Sequence, residues 1–129
     1  MSSFLANTSP VLLSILRIVT GFLFIQHGTQ KWLLFPGGTT RATVENLGGI
    51  AGLFELVGGA LIIVGLFTRP VAFVLSGVMA FAYFIGHAPQ GFWPLLNRGE
   101  LAALYCFVFL YMAAAGGGPW SLDRMMRKA

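Results

Sequence analysis

Six ionisable side chains stand inside or at the edges of long apolar stretches: Arg17, His27, Lys31, Glu55, His87 and Glu100. Two histidines and a carboxylate gathered at one depth could relay protons, ligate a metal or hydrogen-bond the ring oxygens of a quinone. Charged groups are costly in hydrocarbon and usually face a bundle interior or a cavity, which makes each a candidate for function. The residue types therefore limit the chemistry without naming a reaction.

The elements that must hold them are four apolar stretches, spanning roughly residues 11–35, 47–67, 70–88 and 99–116. Together they form one domain covering residues 1–129. Apolar residues make up 57% of the chain and charged residues 9%, against about 45–50% and 25% in soluble domains. A helix needs about 20 mostly apolar residues to cross a bilayer. The second stretch meets this length directly, and the fourth meets it only by drawing on its glycine-rich flank. The expected fold is all-α, an integral membrane four-helix bundle with short loops.

The net charge is +4, but the cations are scattered at span ends and form no nucleic-acid-binding patch. Only Arg124, Arg127 and Lys128 cluster, in the position of a juxtamembrane anchor for anionic headgroups. Cys106 is the single cysteine, so no intramolecular disulfide or CxxC dithiol is possible. Met1–Pro10 carries no basic residue, and no small-residue cleavage site follows, so the first stretch is expected to remain as a transmembrane helix.

Four crossings put both termini on one face of the membrane, here called the terminal face. Arg69, Arg124, Arg127 and Lys128 belong to that face, and Lys31, Arg41 and Arg98 to the opposite one. The positive-inside rule then gives cytoplasmic termini. The breaker-rich Leu34–Thr40 segment ends the first helix near Phe35. The short Phe67–Pro70 link makes the second and third helices antiparallel neighbours. The aromatic, proline-rich 89–99 segment, with Trp93, suits the interface. Gly48 with Gly52, and Ala72, Ser76 and Ala80, provide small-residue faces for close packing.

Arg17 lies too deep for a simple headgroup anchor, and Glu55 is the one acid well inside a stretch. The two are expected to form an intramembrane ion pair, with Cα depths differing by roughly 9 Å. At the opposite face, antiparallel order gathers His27, Lys31 and Glu100 into a polar pocket, with His87 and Trp93 at its rim. Glu100 also fits a capping box, with Asn97 as N-cap and Glu100 at N3.

At these residues the chain resembles the DoxX family of small bacterial membrane proteins. The resemblance rests on Arg17-x3-Gly21-x5-His27-Gly28-x2-Lys31 and on Glu55-x2-Gly58-Gly59-x5-Gly65-x2-Thr68-Arg69. It continues through Met79, Asn97-x2-Glu100 and Gly118-Pro119-Trp120-Ser121-Leu122-Asp123. The resemblance implies a four-helix protein of the bacterial inner membrane, of the kind described as oxidoreductase or quinol-oxidase-related subunits. Relatives resemble subunits of thiosulfate:quinone oxidoreductase or membrane partners of thiol- and superoxide-handling proteins.

Three functions fit these residues. The first is a redox subunit that binds quinone or a related small redox molecule and docks a soluble oxidoreductase partner. The second is a non-catalytic scaffold for partner proteins, and the third a haem or metal protein using His27 and His87. Gly116-Gly117-Gly118 follows no strand, so no flavin or nicotinamide phosphate loop is present. Electrons would have to come from another chain. No catalytic residue and no metal ligand set can be named, and the expected partners are the lipid bilayer, other subunits and a second copy of the chain.

Overall fold

The computed structural model describes residues 2–128, with the side chains of Ser2 and Lys128 left out. The basic tail is thus described only at Arg124 and Arg127, and Ala129 lies outside the described residues. Helix α1 runs Ser2–Leu33, about two and a half turns longer at its start than the stretch beginning at Val11, with Pro10 inside it. It stops at Leu34, whose φ of 59° reverses the chain ahead of Pro36. Helix α2 (Leu47–Val64) starts at Asn46, whose side chain accepts the Gly49 N–H, and stops at Gly65 in the left-handed conformation. Helix α3 (Thr68–Phe81) follows after a three-residue link and continues as a π-helical segment, Ala82–His87, and a short 3-10 turn to Gln90. One turn, α4 (Pro94–Asn97), precedes α5 (Glu100–Ala115), and α6 (Leu122–Lys128) closes the chain.

Packing follows small residues. A Cβ at Gly28 would lie 2.7 Å from the Leu56 nitrogen and 2.8 Å from the Gly52 oxygen, and one at Gly59 would lie 2.8 Å from Ile25 Cβ. Gly21 meets Ile62 and Ile63 in the same way. These contacts fix an antiparallel α1–α2 register that places Glu55 opposite Gly28. Gly48, expected to share the contact with Gly52, is exposed; Gly49 and Gly52 face inward instead. On the other side of the bundle, Ala72 and Ser76 are buried, and the Ser76 hydroxyl donates to the Cys106 carbonyl at 2.8 Å, joining α3 to α5.

The molecule is apolar outside and partly polar inside. Phe22, Val57, Phe73, Phe81, Leu104 and Phe107 are exposed, while Ser14, Arg17, Glu55, Thr68 and Asn97 are buried. Exposed apolar surface on every long helix suits lipid as the surrounding solvent. Among the described residues three helices, Ser3–Leu33, Leu47–Val64 and Thr68–Gln90, are long and apolar enough to cross a membrane. At 16 residues, α5 is about 24 Å long against a hydrocarbon core of about 30 Å. The 91–99 and 116–121 segments complete its two ends, and of them Asn97, Gly99, Gly116, Gly117 and Ser121 are buried, where polar groups need partners.

Arg17 and Asn97 supply many of those partners. Arg17 is fully buried and donates to the carbonyls of Ile62 (2.8 Å), Trp120 (2.6 Å) and Gly117, with a longer contact to Ile63. Two of these carbonyls lie in the last turn of α2, where the helix dipole favours a cation. The expected Arg17–Glu55 ion pair does not form. Glu55 stands opposite Gly28, eleven residues from Arg17, a separation of about 16 Å along the helix, and Arg17 is already saturated by carbonyls.

Asp123 works from the same face. Its carboxylate accepts the Phe67 and Thr68 N–H groups at 2.7 and 2.8 Å, capping α3 from 55 residues away. Phe67, the N-cap residue itself, provides no side-chain cap.

Candidate functional site

The residues left over from this structural bonding converge near the opposite face. A cavity of about 280 Å³ lies between α1, α2, α3 and α5. His27, Lys31, Glu55, His87, Arg98 and Tyr105 form its polar wall, with Phe24, Met79 and Leu101 among its apolar lining. Each arrives by a separate local device. His27 and Lys31 are four residues apart on α1 and so share a face. Glu55 is brought to them by the glycine-packed α1–α2 register, and Tyr105 lies about a turn and a half into α5.

The Lys31 ammonium donates to Glu55 Oε1 at 3.0 Å, an ion pair whose lysine side chain is 34% exposed and whose glutamate is 6% exposed. His87 ends the π-helical segment, and its Nδ1 lies 3.0 Å from the Asn97 carbonyl oxygen. A carbonyl can only accept, so this bond needs the proton on Nδ1, which in the neutral ring leaves Nε2 as an acceptor. Asn97 is fully buried: its amide donates to the Gly91 carbonyl and the Tyr83 hydroxyl, and its Oδ1 accepts the Gly99 N–H.

Tyr105 is the most informative member. It is 6% exposed, its ring packs edge-on against Phe24 at 5.2 Å and against His27 at 6.2 Å, and its hydroxyl has no hydrogen-bond partner among the described residues. A buried hydroxyl without a partner costs about 1–3 kcal/mol. An orphaned donor on a cavity wall is what an absent ligand oxygen would satisfy.

Beside this cavity lies a larger groove of about 480 Å³ between α2 and α3, almost entirely apolar. Lys31, Glu55, Ala82 and His87 line both spaces. The ion pair and His87 therefore stand where a polar chamber meets an apolar one.

Of the five residues expected in the pocket, the structure brings together His27, Lys31 and His87. Glu100 and Trp93 are outside it. Trp93 is 64% exposed and packs on Phe92 at 5.1 Å. Glu100 is exposed, the first residue of α5, where a carboxylate complements the helix dipole. The capping box is also absent: Pro94 starts α4, Asn97 ends it, Arg98 reverses the chain at φ 64°, and Gly99 becomes the N-cap of α5. The acid in the pocket is Glu55.

Sequence reasoning missed Tyr105 and Arg98 as wall residues. Tyr105 carried a legible signal, a polar tip in mid-helix that needs a partner when buried. Arg98 carried none, since its place depends on the turn that α4 makes.

A bundle of apolar helices with exposed apolar outer faces and polar residues inside defines an integral membrane protein. The DoxX family model matches residues 12–88, more than half of the chain. The chain belongs to the DoxX family. It is 46% identical over 125 residues to an uncharacterized protein of Haemophilus influenzae, covering 92% of this chain and 93% of that one. It is 32% identical to the inner membrane protein YphA of Escherichia coli, covering 89% and 90% of the two chains. An uncharacterized membrane protein of Mycobacterium tuberculosis is 28% identical, with 88% and 80% covered. No solved structure matches.

Proposed function

We propose that this chain is the membrane subunit of a redox system and holds a quinone or quinol ring in the polar cavity. The observation that carries this reading is the unpartnered, buried Tyr105 hydroxyl on the wall of a chamber that also holds two histidines and an ion pair. A quinone ring supplies a pair of electron-accepting carbonyl groups whose oxygens take up protons on reduction. Tyr105 Oη and the Lys31 ammonium are donors for such oxygens, and His87 Nε2 and Glu55 are acceptors for the hydroxyls of the reduced ring. No residue is assigned as catalytic, because a proton path does not by itself move electrons.

The chain has no flavin or nicotinamide motif, so the electrons come from a soluble oxidoreductase docked on the membrane face. The setting is the bacterial inner membrane, as for the Escherichia coli inner membrane protein YphA, with both termini cytoplasmic by the charge distribution.

A scaffold is the second reading, and Arg17 favours it. Its burial is fully explained by four carbonyl acceptors from the α2 terminus and the 117–120 segment, with no chemistry required. Purification in mild detergent, followed by solvent extraction and an absorption spectrum, separates the readings. Quinone near one equivalent per chain, without a haem Soret band, is the expected result. An empty, colourless protein that retains a soluble partner would replace the redox reading with the scaffold, and a Soret band would replace both.

A further inference from the structure

The groove between α2 and α3 is not needed to hold a ring, and it is the larger of the two adjoining spaces. Its walls include Leu47, Ile50, Phe54, Phe81 and Ile85, all exposed at the rim and all apolar. Two glycines line it with free space in front of them. A Cβ at Gly86 would meet no atom within 4 Å, and one at Gly48 would meet only Asn46 Oδ1 at 3.5 Å.

The backbone around Gly86 is unusual. Residues Ala82–His87 are π-helical, and the Ala88 N–H bonds back to the Tyr83 carbonyl, five residues earlier. Such insertions change which side chains share a face and recur at functional sites. Here the segment gives Gly86 to the groove and Ala82 and His87 to both spaces.

We propose that the groove is a lateral portal: the ligand comes from the lipid between α2 and α3 and rests with its hydrocarbon chain along the groove and its polar head in the cavity. Adjacency is the argument, since Lys31, Glu55, Ala82 and His87 line both spaces. The ligand class is thereby narrowed to a chain-bearing, lipid-soluble molecule, as opposed to a water-soluble one of similar head. The portal rests on the reading of the cavity as a ring site. A membrane phospholipid chain is the competing occupant.

The test compares two probes on the full chain in nanodiscs of neutral phospholipid: a dimethoxy-methyl-benzoquinone without a chain, and the same ring carrying a decyl chain. Binding is followed by tryptophan fluorescence for the wild type, Gly86→Leu and Gly77→Leu. Gly77 is an exposed glycine of α3 outside the groove, and a Cβ there also meets nothing within 4 Å. Partition into the bilayer is the same for every variant, so it cancels from the comparison.

Gly86→Leu should weaken the decyl probe by about ten-fold or more and leave the bare ring within about two-fold, with Gly77→Leu at wild-type values. Gly48→Leu, on the facing helix, should repeat the pattern if Gly86→Leu fails to insert. Equal effects on both probes, no effect on either, or the same loss in Gly77→Leu would remove the portal and leave the ring site standing. Failure of both probes to bind the wild type would remove the ring site, and the portal with it.

Discussion

Lys31 Nζ lies 3.0 Å from Glu55 Oε1, and this pair, formed across the α1–α2 interface, is the ion pair at the wall shared by the polar cavity and the apolar groove. Its existence depends on register. Gly28 lets α1 approach α2 closely enough for a lysine three residues further on to meet a glutamate almost fully enclosed by the bundle.

Lys31→Met and Glu55→Gln should each lower stability, by up to about 3 kcal/mol, the lower end of the range for a fully buried pair because Lys31 is partly exposed. The double variant should cost less than the sum. Arg17 and Glu55, in contrast, should show additive losses in a double-mutant cycle. Thermal unfolding in detergent measures both cycles, and strong coupling between Arg17 and Glu55 would contradict the register described.

Arg17→Lys keeps the charge and loses the planar fork that reaches carbonyls of the α2 terminus and of the 117–120 segment. A lysine cannot serve these groups in the same geometry. At least one buried carbonyl is then left unpaired, and a loss of about 2–3 kcal/mol is expected. Unfolding within experimental error of the wild type would show that water or a neighbour replaces the fork.

Asp123→Ala should cost about 1 kcal/mol, the usual value of an N-cap, through loss of the bonds from Phe67 and Thr68. Burial acts to raise the Asp123 carboxyl, but the Thr68 and Phe67 N–H groups, helped by Arg127, hold it below the ordinary aspartate value. A depressed folded pKa means that the cap's contribution is complete above the unfolded value of about 3.9 and is lost as pH falls through the lower folded value. Acid unfolding curves of the wild type and of Asp123→Ala should therefore converge on the acid side. A gap that stays constant into that range would show that the cap does not titrate.

Glu100→Gln should leave ligand binding unchanged, whereas Glu55→Gln should alter it, because only Glu55 lines the cavity. Quinone content after purification of the two variants measures this. The reverse ranking would restore Glu100 to the pocket.

Much of this arrangement could be read from the residues, and the failures share one cause. The end of the first helix ahead of Pro36 was legible, because breakers act locally. The link between the second and third helices is Gly65–Phe67 and not Phe67–Pro70, since Gly65 takes the left-handed conformation and Thr68–Pro70 already belong to α3. The meeting of His27 and Lys31 with His87 followed from antiparallel order alone. Depth along the spans suggests Arg17 for Glu55, but the register is set by close contacts of Gly21 and Gly28 on α1 with α2 and of Gly59 on α2 with Ile25. Asn97 and Glu100 matched a capping pattern, but Pro94 starts a turn that uses up Asn97 before α5 begins. The motif residues also divide in a way no spacing announces. Arg17, Gly65 and Asp123 clasp the terminal face, while His27, Lys31 and Glu55 surround the cavity.

The central claim is that the Tyr105 hydroxyl awaits a ligand oxygen, and Tyr105→Phe tests it by removing one atom. Titration of the decyl-benzoquinone into wild type and variant, alongside ligand-free thermal unfolding, is the decisive measurement. The expected result is a crossover. Ligand binding weakens by about ten-fold, the worth of one good buried hydrogen bond, while the ligand-free variant is as stable as the wild type or more so, since an unsatisfied hydroxyl has been removed. Unchanged ligand affinity in Tyr105→Phe, or a ligand-free variant clearly less stable than the wild type, would contradict it.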